Sequence, residues 1–392
     1  MNLQQLNKPL SLSFKNFAKK PDDKGQGGKL KIALSLDIGS YNTKMLLGRQ
    51  KADSLFVEQA VITRTPEKAY ADGEITDGTS LGETLKHLIT QANTSVRDLV
   101  FSIDSTKILK REFIIPQIPD EDILGLVTYE MGQYLPIDIS GYSIQPKVIG
   151  AVMEGDEEKI RVAVNAVPRN MIQAYQKLFT DVGLKPVSMD INPNSVEKLL
   201  LFDIRRRPSG EYADKNVVFI DMGHSFFNVS VYENGNYQFS QDIEIGGRMI
   251  DAMMGDLLRI DAEKARKVKK EICGQLNAVE LDKKYGRAPS GYQPRSVNEE
   301  ALIGLLSILN NWAGQVDNVL QYMSHSRVRN IDKIYLYGGS SFINGIDAFF
   351  ESKLAIKTAI ANAFGCCEYK QGINPQGVAA THTNALGAIL RL

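Results

Sequence analysis

The sequence is poor in cysteine, with only Cys273, Cys366 and Cys367 among its 392 residues. Two of these are adjacent, and the three form neither a disulfide framework nor the paired spacing of a structural zinc site. The four histidines are scattered and show no metal-ligand spacing either. We therefore expect reduced thiols in a cytosolic protein rather than a domain held together by disulfides or zinc.

An excess of charge and a long apolar run are also absent. Lysine and arginine together number 46, and aspartate and glutamate also number 46. This balance removes a global electrostatic attraction to nucleic acid, so we expect no nucleic-acid partner. No apolar run reaches the roughly 18 residues that a membrane-spanning helix needs. The first 28 residues also lack the apolar core of a secretory signal.

The N-terminal segment, Met1–Gly28, carries five lysines and ends in a Gly-rich stretch. This composition predicts a flexible tail. An alternative is that Leu10, Leu12, Phe14 and Phe17 form a stripe that binds a membrane surface or a partner. These four residues do not keep a helical period, which favours the tail. The length of the chain suggests two domains and leaves a third open.

The first informative motif follows this tail. A short apolar strand, Lys31–Leu36, leads into Asp37-Ile38-Gly39-Ser40, and a second strand begins at Lys44. Gly39 permits close approach of an anion to the backbone, and the N–H groups of Ser40, Tyr41 and Asn42 can face its oxygens. Lys44 can add a positive charge, and Asp37 can hold Mg²⁺ through water. The pattern predicts a polyphosphate loop, although a plain Asp/Gly hairpin remains open.

A second copy of the motif lies 184 residues downstream (221 minus 37). The strand Asn216–Ile220 enters Asp221-Met222-Gly223-His224-Ser225, and another strand follows. An internal duplication with one lobe per copy explains the repeat. We expect Asp221, Gly223, His224 and Ser225 to meet the same phosphates, with Asp221 as the second carboxylate on the magnesium side.

A third motif has the form of a strand that opens into a helix. Lys333–Tyr337 runs into Gly338, Gly339, Ser340 and Ser341, and the pattern predicts a helix over Phe342–Leu354. Two adjacent glycines let a base or ribose lie against the backbone. Elsewhere the patterns predict helices over Asp120–Tyr134, Glu299–Ser324 (with Trp312 in the core) and Asn384–Leu392, and an exposed loop over Asp282–Asn298.

The order of these motifs resembles the superfamily of actin, heat-shock chaperones and sugar kinases. Asp190-Ile191-Asn192-Pro193 resembles its first connecting motif, and Asn384–Ala388 resembles the second. The turn Gly246-Gly247, before Arg248–Asp251, resembles the glycine turn of the second lobe. The resemblance implies an α/β protein with the actin-like ATPase fold, made of two ribonuclease-H-like lobes.

Segments between the two phosphate motifs indicate one family within this superfamily. Together with the motifs, they extend the resemblance over Lys29–Leu392. They are similar to PilM, the cytoplasmic FtsA-like component of type IV pilus assembly; the segments concerned are Arg111–Pro116, Tyr129–Pro136, Ala166–Pro168, Ala174-Tyr175 and Val182–Pro186. The similarity implies a tail over residues 1–28, a first lobe over 29–205 with an FtsA-type 1C subdomain at about 96–184, a second lobe over 206–373 and a connecting segment over 374–392.

The same similarity implies ATP or ADP with Mg²⁺ as the cofactor. Besides the loop residues named above, it implies that nucleotide contacts come from Gly246, Gly247, Glu263, Lys269 and Phe342. It also implies a partner, the N-terminal cytoplasmic tail of a PilN-like inner-membrane protein. The protein would sit at the inner face of the membrane through that partner, contact the pilus motor ATPases and support twitching motility; a homo-oligomer is left open.

One departure from the superfamily bears on catalysis. Its chaperone members have Glu before the proline of the first connecting motif, whereas Asn192 stands here. Asn cannot act as a general base, which leaves Asp190 as the catalytic candidate and at most a weak ATPase. Two alternatives stay open: a small-molecule kinase or phosphatase of the same superfamily, and an FtsA-like filament protein. The latter usually has a C-terminal amphipathic helix, which we do not expect after Asn384–Leu392.

Overall fold

The computed structural model describes residues 12–13, 32–134, 138–286, 292–326 and 330–391. The chain divides into two compact units, and each is described here by itself. The first unit takes Met1–Pro208, Phe364–Ile373 and His382–Leu392; the second takes Ser209–Ala363 and Asn374–Thr381. Residues 364–373 were expected in the second lobe, but pairing of their strand with the first sheet places them in the first unit.

Seventeen strands are described in these ranges. In chain order they are β1 (Leu12–Ser13), β2 (Ala33–Ile38), β3 (Asn42–Gln50), β4 (Leu55–Arg64), β5 (Tyr70–Ala71), β6 (Glu74–Ile75), β7 (Asp98–Ile103), β8 (Leu109–Pro116), β9 (Tyr142–Glu154), β10 (Glu157–Pro168), β11 (Lys185–Ile191), β12 (Asn216–Met222), β13 (Phe227–Glu233), β14 (Asn236–Ile243), β15 (Lys333–Tyr337), β16 (Thr358–Ile360) and β17 (Cys367–Tyr369).

Ten α-helices accompany them in the described residues. They are α1 (Gly78–Gln91), α2 (Asp120–Tyr134), α3 (Arg169–Asp181), α4 (Asn192–Arg206), α5 (Gly247–Leu258), α6 (Ala262–Gln275), α7 (Ala278–Tyr285), α8 (Val297–Ser326), α9 (Ile346–Leu354) and α10 (Pro375–Ile389). None of these helices is both long enough and apolar enough to cross a lipid bilayer.

The first unit is built on a seven-stranded sheet in the order β1-β11-β7-β2-β3-β4-β17. Every residue of β2 is buried, as expected for a central strand whose two faces are both covered. Helices α1 and α3 cover one face. The buried residues of α3 are Met171, Ile172, Tyr175, Leu178 and Phe179, and their spacing is that of an amphipathic helix.

The second unit repeats the strand plan of the first. Its five-stranded sheet has the order β14-β13-β12-β15-β16. The pairs β12–β13 and β13–β14 are antiparallel, and β12–β15 and β15–β16 are parallel. In the first unit, β2–β3 and β3–β4 are antiparallel, and β2–β7 and β7–β11 are parallel. The two sheets therefore share five strands of the same order and direction, which confirms the duplication predicted from the two Asp-x-Gly loops.

A separate three-stranded sheet belongs to the first unit. It is antiparallel, in the order β8-β10-β9. Helix α2 packs on one face through Ile123, Val127 and Met131, which bury against Val162 and Val164 of β10. The spacing of four residues puts the three helix positions on one stripe. This small layered subdomain lies within the range where the 1C subdomain was expected.

A buried ion pair attaches this subdomain to the rest of the first unit. Lys147 of β9 donates a hydrogen bond to the carboxylate of Glu197 on α4. The two side chains are 5% and 1% exposed. Charges removed from water to this extent are tolerated because each neutralises the other.

Several predicted elements are confirmed and others are corrected. Helix α2 has the predicted bounds, and Trp312 of α8 is fully buried, 4.9 Å from the ring of Phe227. The helix predicted from Phe342 begins instead at Ile346, because Gly345 adopts a positive φ of 73° before it. The final helix is longer than predicted, starting at Pro375. The predicted loop over 282–298 overlaps the ends of α7 and α8, and its residues 287–291 lie outside the described residues.

Most of the predicted N-terminal tail also lies outside the described residues. The exception is β1, where Leu12 and Ser13 pair antiparallel with Met189 and Ser188 of β11. This short strand forms one edge of the seven-stranded sheet. The sequence pattern did not predict it.

Candidate functional site

The first predicted phosphate loop connects β2 to β3 in the first unit. The Gly39 N–H donates to the carbonyl oxygen of Asn42 at 3.0 Å. A side chain at Gly39 would place its Cβ 3.1 Å from that same oxygen. Thr65 adds a second hydrogen bond, since its hydroxyl donates to the Gly39 carbonyl at 2.7 Å. The loop is therefore a tight turn with fixed backbone groups, as an anion-binding loop requires.

The two charged residues predicted for this loop lie together. Asp37 and Lys44 are cross-strand partners on β2 and β3, and the Lys44 ammonium is 2.8 Å from the Asp37 carboxylate. The side-chain amide of Asn384 also lies 3.4 Å from that carboxylate. Asp37 is 5% exposed, so it is held at the end of a buried strand rather than on a mobile tip.

An arginine that the sequence did not single out completes this loop. The guanidinium of Arg64 lies 3.3 Å from the centre of the Tyr41 ring, close enough for a cation–π contact. Arg64 is the β4 partner of Asn42 on β3. Only strand pairing brings it to the loop, so no local motif could have identified it.

A buried histidine lies beside the same loop. His382, in the non-helical turn that divides α10, bonds the Val61 carbonyl at 3.1 Å through Nε2. Burial lowers the pKa of His382 to about 4; the nearby Lys44 acts in the same direction, and the bond to Val61 acts against it. His382 is therefore neutral near pH 7 and adds no charge next to Asp37 and Lys44.

The first connecting motif forms a buried charged layer. Asp190, at the end of β11, is 2.6 Å from the ammonium of Lys198 on α4, and both side chains are at most 2% exposed. Burial lowers the pKa of Lys198 to about 8, although Asp190 acts in the opposite direction. Asn192 accepts a hydrogen bond from Ser102. Asp190 thus has a structural ion-pair partner, and its catalytic role stays a prediction.

In the second unit, three of the predicted motifs meet. The Gly223 carbonyl accepts hydrogen bonds from the Gly247 N–H and the Ser340 hydroxyl, both at 3.1 Å. The His224 carbonyl accepts from the Arg248 N–H at 2.9 Å. The second predicted phosphate loop, the glycine turn and the third motif, Gly338–Ser341, are therefore one hydrogen-bonded structure.

Two of these motifs touch at a position that requires glycine. Gly338 has a φ of 89°, and a Cβ there would lie 2.4 Å from the Asp221 carboxylate. A positive φ and this close approach each exclude a larger residue. The turn before α5 is similarly crowded, since a Cβ on Gly246 would lie 2.5 Å from the His224 carbonyl oxygen. The backbone is packed closely around Asp221 and His224, which suits a ligand held by main-chain groups.

The remaining predicted residues, Lys269, Glu263 and Phe342, have different surroundings. Lys269 of α6 joins the cluster, because its ammonium donates to the Gly247 carbonyl at 3.2 Å. Glu263 is not brought to it: it lies in the first turn of α6 and pairs with exposed Lys267 at 2.9 Å. Phe342 directly follows the third motif, Gly338–Ser341, and is 56% exposed. Asp251 and Arg266, which sequence reasoning did not commit to, lie beside Lys269.

Comparison with known proteins places this geometry in context. The family model "Type IV pilus assembly protein PilM" matches residues 35–391. A chain of the solved PilM-PilN type IV pilus biogenesis complex aligns with a TM-score of 0.74 and 17% identity, over 92% of this chain and 98% of that one. The ethanolamine utilization protein EutJ from Carboxydothermus hydrogenoformans aligns with a TM-score of 0.51 and 12% identity, over 92% and 89%.

These likenesses agree with the strand plan of the two units. At such low identity the structural alignments show the fold alone, which is the actin-like ATPase fold predicted from the three glycine motifs. The family model covers nearly all of the described chain, from β2 to the end of α10. The chain belongs to the PilM family of type IV pilus assembly proteins.

Proposed function

We propose that this chain binds ATP or ADP and acts as a nucleotide-dependent adaptor in type IV pilus assembly. The observation that carries the nucleotide part is the duplicated loop. In each unit a largely buried strand has an aspartate as its second-last residue, followed by a glycine turn fixed by hydrogen bonds. A glycine at such a turn lets phosphate oxygens approach the backbone closely.

The residues present fit a magnesium nucleotide. Asp37 and Asp221 are each the second-last residue of a strand that runs into a predicted phosphate loop, and carboxylates can hold Mg²⁺ through its waters. Bound Mg²⁺ would neutralise phosphate charge. Lys44 would supply a further cation to the phosphates, with Asp37 setting its position.

The partner part of the proposal rests on the family. The solved complex that aligns with this chain contains PilM and PilN by its name. We infer that this chain binds the N-terminal cytoplasmic tail of a PilN-like inner-membrane protein, which would hold it at the inner face of the membrane, and that it contacts pilus motor ATPases. The three-stranded subdomain is the surface we favour, because it exposes large apolar side chains, namely Ile114, Leu124, Tyr129 and Met153.

The nucleotide site can be tested with two conservative substitutions. Asp37→Asn and Lys44→Met should each weaken ATP binding about 10- to 100-fold, since each removes a charge-assisted contact to the phosphates or their magnesium. The measurement is calorimetric titration with ATP and Mg²⁺. Lys51→Met is the matched control, because Lys51 pairs with Glu368 on the exposed surface of the same unit. Wild-type affinity in both test variants would show that the loop is wrongly assigned.

The adaptor role needs a separate titration. A synthetic peptide of the partner's N-terminal tail should bind the full chain, and saturating ATP with Mg²⁺ should shift its affinity about 5- to 150-fold, the usual range of coupling between sites. A scrambled peptide of the same composition is the control. Absence of peptide binding, together with rapid phosphorylation of a small metabolite, would favour the kinase alternative instead.

A further inference from the structure

The outer edge of β11, the side that does not pair with β7, carries a short strand from the N-terminal segment. Leu12 and Ser13 of β1 pair antiparallel with Met189 and Ser188. In the described ranges no strand other than β1 lies beyond β11. Without β1, β11 would therefore be an edge strand, which presents unpaired backbone groups to a strand from another chain.

Both ends of β11 are protected without β1. Pro186 has no N–H, and the register against β7 shifts between Pro186 and Ser188; prolines and bulges are common protections of a sheet edge. At the other end, the Ile191 N–H donates to the carboxylate of Asp190 at 3.0 Å. The middle of the strand is left, and β1 pairs there, with Ser188 and Met189.

The sequence of the N-terminal segment fits this edge in one register. Apolar and polar residues alternate over Leu10–Lys15, the pattern of a strand with one apolar face. Leu12 stands opposite Met189, a fully buried member of the core under α1 and α3, and Ser13 stands opposite Ser188. A slip of one residue would reverse this match. The alternation therefore specifies the observed pairing.

The pairing is short and the connection to β2 is long. Hydrogen-bonded pairs alternate with non-hydrogen-bonded pairs in an antiparallel ladder, so two residue pairs include one hydrogen-bonded pair. Nineteen residues separate Ser13 from Ala33 (33 − 13 − 1), and such a length spans up to about 60 Å. In the sheet, β1 lies three strand spacings from β2, or about 14 Å. The segment can therefore leave the edge and return while β2 stays in place.

We propose that the outer edge of β11, around Ser188 and Met189, is a peptide-binding site of the strand-addition type, and that the N-terminal segment around Leu12 and Ser13 occupies it as a displaceable cover. The edge takes an extended peptide with alternating apolar and polar residues, which it binds through backbone hydrogen bonds. While the cover is in place, a strand from another chain is kept from the edge. The site requires neither the nucleotide nor the partner of the proposed function.

The test opens the edge in the full chain and offers the segment back as a peptide. Leu12→Pro/Ser13→Pro removes the backbone N–H groups of β1 and should release it. A labelled synthetic peptide of residues 8–17 should bind this variant about 10-fold more tightly than the wild type, whose tethered segment competes at high effective concentration. Fluorescence anisotropy measures the affinity. Gln4→Pro/Gln5→Pro is the matched control, with two prolines in the same segment but outside β1, and it should behave as wild type.

Hydrogen exchange locates the peptide. Backbone amides of β11 should exchange about 10-fold faster in Leu12→Pro/Ser13→Pro than in the wild type, and the added peptide should restore their protection. The amides of β2 should be unchanged, which shows that the sheet stays folded. A chain that lacks residues 1–13 is the second variant and should give the same results.

Three results would overturn the proposal. The first is equal affinity of the peptide for the wild type and for Leu12→Pro/Ser13→Pro, or no binding to either. The second is unchanged exchange of β11 in both opened variants. The third is undiminished binding of a peptide that carries the same two prolines, because strand pairing requires its N–H groups.

Discussion

Replacing Glu197 by glutamine should destabilise the first unit by about 3–5 kcal/mol. The substitution keeps the shape of the side chain but leaves the ammonium of Lys147 buried without a counter-charge, and removal of one partner from a buried ion pair costs about this much. Both side chains are almost fully removed from water, so solvent cannot take over the role of the lost carboxylate.

The second half of this prediction is that a double variant recovers the lost stability. In the double variant Lys147→Met/Glu197→Leu the buried charges are gone, and replacement of a buried pair by apolar residues is often neutral or stabilising. The double variant should therefore regain most of the stability lost in Glu197→Gln. Trp312 lies in the second unit, so probes placed in the first unit report this loss more directly than its fluorescence. Urea unfolding followed by circular dichroism, with hydrogen exchange of α4 and β9, is the suitable measurement.

The rescue also separates two roles of the pair. If Lys147–Glu197 only stabilises the fold, the double variant should bind the partner peptide as the wild type does. If the pair sets the position of the three-stranded subdomain, the double variant should be stable and yet bind the peptide more weakly. A stability of Glu197→Gln equal to wild type would contradict the burial on which this prediction rests.

Gly387→Ala should cost about 3 kcal/mol or more, although it adds a single methyl group to a helix. A Cβ at Gly387 would lie 1.9 Å from the carbonyl oxygen of Ser195 on α4. The obstacle is backbone, so no side-chain rotation can relieve it, and the two helices must separate. This separation would also disturb the bond from Lys198 to the Ala388 carbonyl, which is 3.4 Å long.

A matched substitution in another helix should have the opposite sign. Gly125, in α2, is exposed, and no atom lies within 4 Å of its added Cβ. Gly125→Ala should therefore stabilise the protein by roughly 0.5–1 kcal/mol, because alanine has the higher helix propensity. Denaturant unfolding of both variants checks the pair. Equal effects at the two positions would mean that the close helix crossing at Gly387 is absent.

The sequence by itself determined the parts of this protein that repeat or that depend on local backbone chemistry. Buried strands ending in Asp-x-Gly, at Asp37 and Asp221, predicted both loops and the duplication, because a glycine turn after an apolar strand is a local signal. The pair Gly338-Gly339 was identified for the same reason. The helical period of the apolar residues in α2 was also predicted locally, since Ile123, Val127 and Met131 lie on one face of the helix.

Only the tertiary structure decided which distant side chains share a site. Arg64 reaches Tyr41 through strand pairing, and Asp251 reaches Lys269 through the packing of α5 against α6. The pairing of Lys147 with Glu197 likewise joins residues of two subdomains. Such contacts depend on the register of whole elements. The sequence around a charged residue does not indicate which distant residue will carry its counter-charge. The loops can therefore be predicted from the sequence, whereas these contacts between distant side chains are known only from the fold.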